Sequence, residues 1–335
     1  MPRPFVGSVA RRGTLEPGEI GRREVERDGW RSGDLVLGRI LSADTGGAHA
    51  VESVDGRMIE VMEGDLVVGA LGRRHATLEV TGDWEQIGGD GAMHALTSAC
   101  VFGRMTSVSR MLPAPIELRY EGHVAAGSGV VRMADLAISP RPAELRCPVV
   151  LLIGTSMDAG KTVSARTIVR RLVARGLRVG GAKLTGVGRY RDILAMRDAG
   201  AEPILDFIDA GLPSTVCPRP EFEAALARIT SALAVSGVDA VVAEAGASPL
   251  EPYNGAAAIE ALAPVTALTV LCASDPYSVV GVIEAFGLVP DLIAGRCTST
   301  LAGVELVERL TGIRALNLID PEAIPQLDRV LDGLT

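Results

Sequence analysis

Two styles of hydrophobic patterning divide the chain. Between residues 33 and 140 apolar positions come in short runs broken by Gly and Asp. GDLVLGRIL (33–41) and GDLVVGALG (64–72) are near-repeats, and AVESVDGRMIEV (50–61) between them carries Asp55-Gly56 between strand-like flanks. That dipeptide is a hairpin signal, because a two-residue turn needs positive φ. HATLEV (75–80) and GSGVVRMADLAI (127–138) continue the style, while MHALTSACVFGRM (93–105) fits helix or strand. The pattern predicts a β-rich domain over 33–140, a small barrel or sandwich. Residues 1–32 are rich in Arg, Glu and Gly with few apolar positions, and read as a mobile arm or a loosely docked extension.

After SPRPAELRCP (139–148), where prolines discourage regular structure and a linker is expected, the style changes. VVLLIG (149–154) is a continuous apolar run, as in a strand buried on both faces. In KTVSARTIVRRLVARG (161–176), Ile168, Val169, Leu172 and Val173 share a helical face, and Gly176 suits a helix end. Further strands are expected at LRVGGAKL (177–184), DAVVAEAG (239–246), TALTVLCAS (266–274), DLIAGRC (291–297) and IRALNLI (313–319). FEAALARITSALAVSG, SVVGVIEAFG and LAGVELVERLTG supply intervening helices. Strand–helix alternation predicts an α/β domain over 148–335, a mostly parallel sheet with helices on both faces.

Composition narrows the chemistry. The 335 residues carry a formal charge of −8, and no basic patch dominates, which argues against a nucleic-acid partner. Cys100, Cys147, Cys217, Cys272 and Cys297 are widely spaced and never form C-x-x-C, so neither a disulfide framework nor a zinc ribbon is expected. They suit small buried residues in a reducing cytoplasm. The N-terminus lacks the apolar stretch of a secretory signal, and the longest late apolar run, 261–274, is too short to span a bilayer. All four histidines (His49, His75, His94, His123) fall in the β-rich part without metal-ligand spacing. Of 33 basic side chains only Lys161 and Lys183 are lysine. In a chain that otherwise uses arginine, a retained lysine suggests a place for a compact ammonium.

Lys161 falls in GTSMDAGKT: Gly154, Thr155, Ser156, Met157, Asp158, Ala159, Gly160, Lys161, Thr162. The usual Walker A loop has four residues between Gly and Gly-Lys-Ser/Thr; here there are five. The context is right, because the segment joins a predicted strand to a predicted helix. Backbone N–H groups and the dipole at a helix start hold phosphate oxygens. Lys161 would neutralise β/γ charge, and Thr162 would offer a hydroxyl to Mg²⁺. Glu244 ends an apolar strand, where an oxygen ligand suits Mg²⁺.

The loop resembles that of dethiobiotin synthetase and its relatives, which share the five-residue spacing. The resemblance spans roughly 148–320 and excludes the β-rich part. GAKLTGVGRYRDILAMRDAGAE also resembles the P-loop proteins of molybdopterin-guanine dinucleotide biosynthesis, and a third similarity is to the P-loop family containing D-amino-acid N-acetyltransferases. What the synthetase resemblance implies is residue by residue. Lys183 falls where a second-strand lysine lies near the γ-phosphate and the reacting group. Asp192 falls where an acid helps hold Mg²⁺, with a helix N-cap or a surface charge as the alternative. Glu244 resembles the Walker-B-type acid, and Thr298 falls where a polar residue contacts the base. Ser156 and Met157 stand where the synthetase has aspartate and threonine, so biotin synthesis itself is not carried over.

Arg189 follows the Thr185-Gly186-x-Gly188 turn and fits an anionic substrate or a solvated switch-like loop. Tyr253 and Asn254, in EPYNG (251–255), fit a substrate pocket or a plain turn. The expected activity is that of a cytoplasmic Mg-ATP-dependent ligase or synthetase on a small carboxylate or amine, acting through a phosphorylated intermediate. A nucleotide-hydrolysing accessory protein and a coenzyme-A-dependent N-acyltransferase are the alternatives. The absence of a clear Asn-Lys-x-Asp signature favours ATP over GTP. A homodimer is the family expectation.

Overall fold

The computed structural model describes residues 3–13, 15, 20–42, 49–127 and 129–334. Residues 1, 2, 14 and 16–19 of the expected arm, residues 43–48 and 128 of the expected β-rich part, and residue 335 lie outside them. Two compact units are present: one takes residues up to 138 together with 187–191 and 207–216, the other takes 139–186, 192–206 and 217–335.

The first unit is built on strands β1 (Leu35–Ser42), β2 (Leu66–Leu71), β3 (Ala92–Ala95), β4 (Val101–Val108) and β5 (Glu117–Ala126). The near-repeats become β1 and β2 and pair antiparallel, Leu37 facing Val68. β1 pairs with β5, β5 with β3 and β3 with β4, all antiparallel, and β4 returns to β2 in parallel. The five strands therefore close on themselves, which makes the expected barrel or sandwich a barrel. Closure pairs backbone groups that an open edge would expose. Asp55-Gly56 makes the turn between Ala50–Glu52 and Met58–Glu60. The ambiguous 93–105 segment holds β3, a tight turn and β4 rather than a helix.

The second unit is a six-stranded sheet, all parallel. Its strands are β6 (Val149–Gly154), β7 (Val179–Thr185), β8 (Ile204–Asp206), β9 (Ala240–Ala245), β10 (Thr266–Ala273) and β11 (Leu292–Gly295). Spatial order is β8-β7-β9-β6-β10-β11. The helices are α1 (Lys161–Ala174), α2 (Tyr190–Asp198), α3 (Arg219–Ser236), α4 (Gly255–Leu262), α5 (Pro276–Phe286), α6 (Leu301–Thr311) and α7 (Ile324–Leu331). Every residue of β6 is buried, as its unbroken apolar run requires. From β6 the chain crosses to β7 on one side, and later from β9 to β10 on the other. Such a reversal opens a crevice at the carboxyl ends of the central strands, where ligands of open α/β sheets bind. The fold is α/β, with a parallel sheet covered by helices on both faces and a β-rich N-terminal part.

Three expectations need correction. The arm is stitched into the barrel: Phe5–Val6 pairs with β2, Gly21–Arg23 pairs with β5, and Ser8, Val9 and Ala10 are buried. Strand pairing uses backbone groups, so a polar sequence suffices once Val9, Ala10 and Trp30 supply apolar anchors. HATLEV spans a turn instead of a strand, because Arg73–His75 folds back on Val80–Asp83. IRALNLI forms a single bridge, Ala315 beside Ile293, at the edge of β11. The chain also leaves the sheet unit twice: 187–191 and 207–216 join the barrel unit, where Gly188 N–H donates to Pro213 O at 3.1 Å.

Among the described residues no helix is long and apolar enough to cross a membrane.

Candidate phosphate-binding site

Residues 155–160 connect β6 to α1, with Gly160 as the left-handed cap of the helix. Thr155 fastens the loop to β10: its N–H donates to Cys272 O at 3.0 Å and its hydroxyl accepts from Ser274 N at 3.1 Å. Ala159 is buried, Ser156 and Met157 are half-buried, and Asp158 is exposed. On the other side Arg296 N–H donates to Ala159 O at 3.2 Å. That contact demands glycine at 295. Gly295 has φ 96° and ψ −152°, a region that side chains exclude, and a Cβ there would collide with the Ala159 carbonyl. Gly295→Ala is therefore expected to cost about 3 kcal/mol, from strain and overpacking together. Thermal denaturation would register this as a lower Tm.

The ammonium of Lys161 donates to Ser156 O at 2.6 Å and is only 5% exposed. Burial pushes its pKa below the usual lysine range; Glu244 opposes this, and Lys183 adds repulsion. Lys183, 6% exposed, ends up above the usual range. Burial alone would lower it, but the charge and hydrogen bond of Asp192, then Glu244 and Asp206, outweigh that cost. The Lys183–Asp192 pair is 2.6 Å long.

Register explains the clustering. In the parallel sheet Glu244 stands beside Leu152 on one side and Lys183 on the other, and Lys183 stands beside Asp206. Register partners project from the same face of a sheet, so three neighbouring strands present Asp206, Lys183 and Glu244 together. Lys161 acts on the same carboxylate from α1. The two lysines of the chain thus share one electrostatic environment.

Glu244 is buried with its pKa pushed up to about 7, first by burial, then by Asp192, against the pull of Lys183, Lys161 and a hydrogen bond from Thr162. A carboxyl raised above its unfolded value near 4.5 stabilises the fold fully below that value, and the contribution is lost as pH rises through about 7. In the absence of Mg²⁺ and nucleotide, Tm is therefore expected to fall between about pH 5 and about pH 8. Glu244→Gln, which keeps the neutral form, should flatten that fall in parallel melts of the two proteins.

A divalent cation fits part of this set. Glu244 Oε1 is buried without a hydrogen-bond partner, and an orphaned carboxylate oxygen beside a threonine hydroxyl is the donor chemistry Mg²⁺ takes. Thr162 and Glu244 could hold it. Asp192 is already engaged by Lys183. Among the described residues no group of three or more His, Cys, Asp or Glu forms a metal cage by itself, so remaining positions would fall to water or phosphate.

Four other sequence candidates are placed elsewhere. Thr298 is completely buried, and its hydroxyl reaches the backbone carbonyls of Gly295 and Leu316 at 3.0 and 2.9 Å. It locks the end of β11 and does not face a base. Tyr253 is completely buried in the core, and Asn254, with φ 60°, caps α4 and donates to Cys217 O at 3.0 Å. The turn reading of EPYNG replaces the pocket reading. Arg189 is exposed and groups with the barrel unit. Asp206 and Gly295 escaped the sequence reading. Asp206 lies in a three-residue strand too short to register, whereas Gly295 could have been suspected from a glycine ending the DLIAG run.

No protein-family model matches the chain, and no curated protein matches it. Among solved structures it is similar to a DUF1611 family protein from Anabaena variabilis, at 18% identity over 58% of this chain and 61% of that one, with a TM-score of 0.41. Chloroplast FtsY from Physcomitrella patens is similar at 15% identity over 55% and 62%, with a TM-score of 0.37. The 54 kDa signal recognition particle protein from Aeropyrum pernix, in complex with GDP, is similar at 16% identity over 60% and 53%, with a TM-score of 0.33. The chain spans under two thirds of each of these proteins. Likeness of this order carries no residue role across.

Proposed function

We propose that the chain binds a nucleoside triphosphate at residues 154–162 and transfers its terminal phosphoryl group to a small carboxylate or amine. The observation that carries this reading is the convergence of the only two lysines on Glu244 at the carboxyl ends of neighbouring strands. Lys161, with the loop amides, serves to bind phosphate. Lys183, kept cationic by Asp192, Glu244 and Asp206, serves to stabilise charge on the group in transfer. Thr162 and Glu244 would hold Mg²⁺, with Asp192 as a further candidate, and the ion would neutralise phosphate charge. In the transfer an acceptor oxygen or nitrogen bonds to the γ-phosphorus, the bond to the β-bridging oxygen breaks, and the nucleoside diphosphate leaves with the electron pair. A proton on the acceptor passes to a base in the site or to water. The phosphorylated product would then be captured by a nucleophile, completing a ligase or synthetase reaction. ATP is the favoured nucleotide, for want of the guanine signature in the sequence.

The test is a thermal-shift panel with ATP, GTP and acetyl-coenzyme A, each with and without Mg²⁺, followed by diphosphate release in mixtures of small acids and amines. Stabilisation by a ligand follows mass action and ranks the three directly. Mg²⁺-dependent stabilisation by ATP, with diphosphate release that requires one small molecule, is the expected result. Stabilisation by acetyl-coenzyme A alone would defeat the proposal, and so would hydrolysis indifferent to every small molecule tried.

A further inference from the structure

Glu52, in the short strand Ala50–Glu52, is completely buried, and its carboxylate accepts from two backbone amides and a hydroxyl. Oε2 accepts from the Tyr190 amide at 2.7 Å and from the Ser8 hydroxyl, and Oε1 accepts from the Arg191 amide at 2.9 Å. Tyr190 and Arg191 are the first two residues of α2 and group with the barrel unit, as Glu52 does. A helix leaves its first N–H groups without internal partners, and a carboxylate there is favoured by the dipole as well. Glu52 thus fixes where α2 begins.

The next residue is Asp192, and its carboxylate holds Lys183. α2 has only nine residues, too few to be stable on its own in water. Asp192 lies in the first turn, and a turn whose leading N–H groups lose their acceptor frays, which would free Asp192 from its fixed place against Lys183. We propose that Glu52 is a positioning residue for Lys183: by capping α2 it sets Asp192 against the ammonium. The functional meaning of this clamp rests on the role assigned to Lys183 above; the clamp itself does not.

Reductive methylation of the folded, full-length protein tests it, because the chain has only two lysines and each reports separately by peptide mass spectrometry. Glu52→Gln and Tyr190→Pro each weaken the cap. Proline at the first helical position deletes one donated N–H while suiting the helix start, and it leaves Glu52 unchanged should the other variant fold poorly. Tyr190→Ala keeps the N–H and removes only the ring, which stacks on Arg11. Asp192→Asn marks the rate expected when the partner is lost outright.

Lys183 should be methylated about tenfold faster in Glu52→Gln and Tyr190→Pro, the size expected for losing a charged helix cap. Lys161 should stay within about twofold, Tyr190→Ala should behave as wild type, and adding Glu52→Gln to Asp192→Asn should give little further gain. An unchanged Lys183 rate in both cap variants overturns the clamp. Equal acceleration of both lysines overturns it too, since that reports general loosening, and so does Tyr190→Ala matching Tyr190→Pro. Faster Lys183 methylation with undiminished nucleotide turnover would uphold the clamp and instead defeat the catalytic reading of Lys183.

Discussion

Lys161→Ala is expected to abolish the thermal stabilisation that Mg-nucleotide confers. At a hundredfold excess over Kd a ligand contributes about 2.7 kcal/mol, which for a protein of this size is a shift of roughly 4 °C; the variant should show about none of it. The reason is local. Lys161 is buried against the loop it serves, with its ammonium on the Ser156 carbonyl, so its charge lies where phosphate oxygens would be cradled. Alanine keeps the helix start, as a good helix former, and removes only the charge. Differential scanning fluorimetry with and without Mg-ATP is the measurement. A Tm that drops equally with and without ligand would make Lys161 a structural residue instead.

Lys183→Ala should separate binding from chemistry. The nucleotide-induced shift in Tm should persist, while the rate of diphosphate release falls by about 10²–10³, the usual size for loss of one charge-stabilising donor. Lys183 is held at the strand end by Asp192 at 2.6 Å and belongs to no part of the loop. Its removal leaves Asp192, Glu244 and Asp206 near one another with less compensation, so a lower apo Tm is also expected. Single-turnover kinetics at saturating nucleotide keep the two effects apart. Equal loss of binding in Lys161→Ala and Lys183→Ala would refute the division of labour.

The sheet unit was legible because its strands are buried on both faces. VVLLIG, DAVVAEAG and TALTVLCAS are apolar runs bounded by turn residues, and each became a strand within a residue or two of its expected limits. The strand–loop–helix context of 149–174 was legible too, since Gly154 and Gly160 mark the strand end and the helix cap locally. What stayed hidden depends on distant partners. β5, the longest barrel strand, runs ELRYEGHVAA, and its alternation is blurred by register shifts at Leu118 and Gly122. The misplacement of Thr298 and Tyr253 has one cause: position after a strand is visible in sequence, but whether a side chain turns into the core is settled by packing around it. Glu52 gave no local sign, because the amides it caps are more than 130 residues away.

The economy of lysine has a practical corollary. Lys161 opens α1 and Lys183 lies within β7, both buried. An endoprotease that cuts only after lysine needs an extended, accessible stretch of chain, and the native fold offers it none at either bond. Digestion should therefore wait on unfolding of the sheet unit, and when reclosing outpaces cleavage its rate follows the population of the open form. Such an enzyme would read the stability of the sheet unit directly, in crude mixtures and without a label, while cuts after arginine would not.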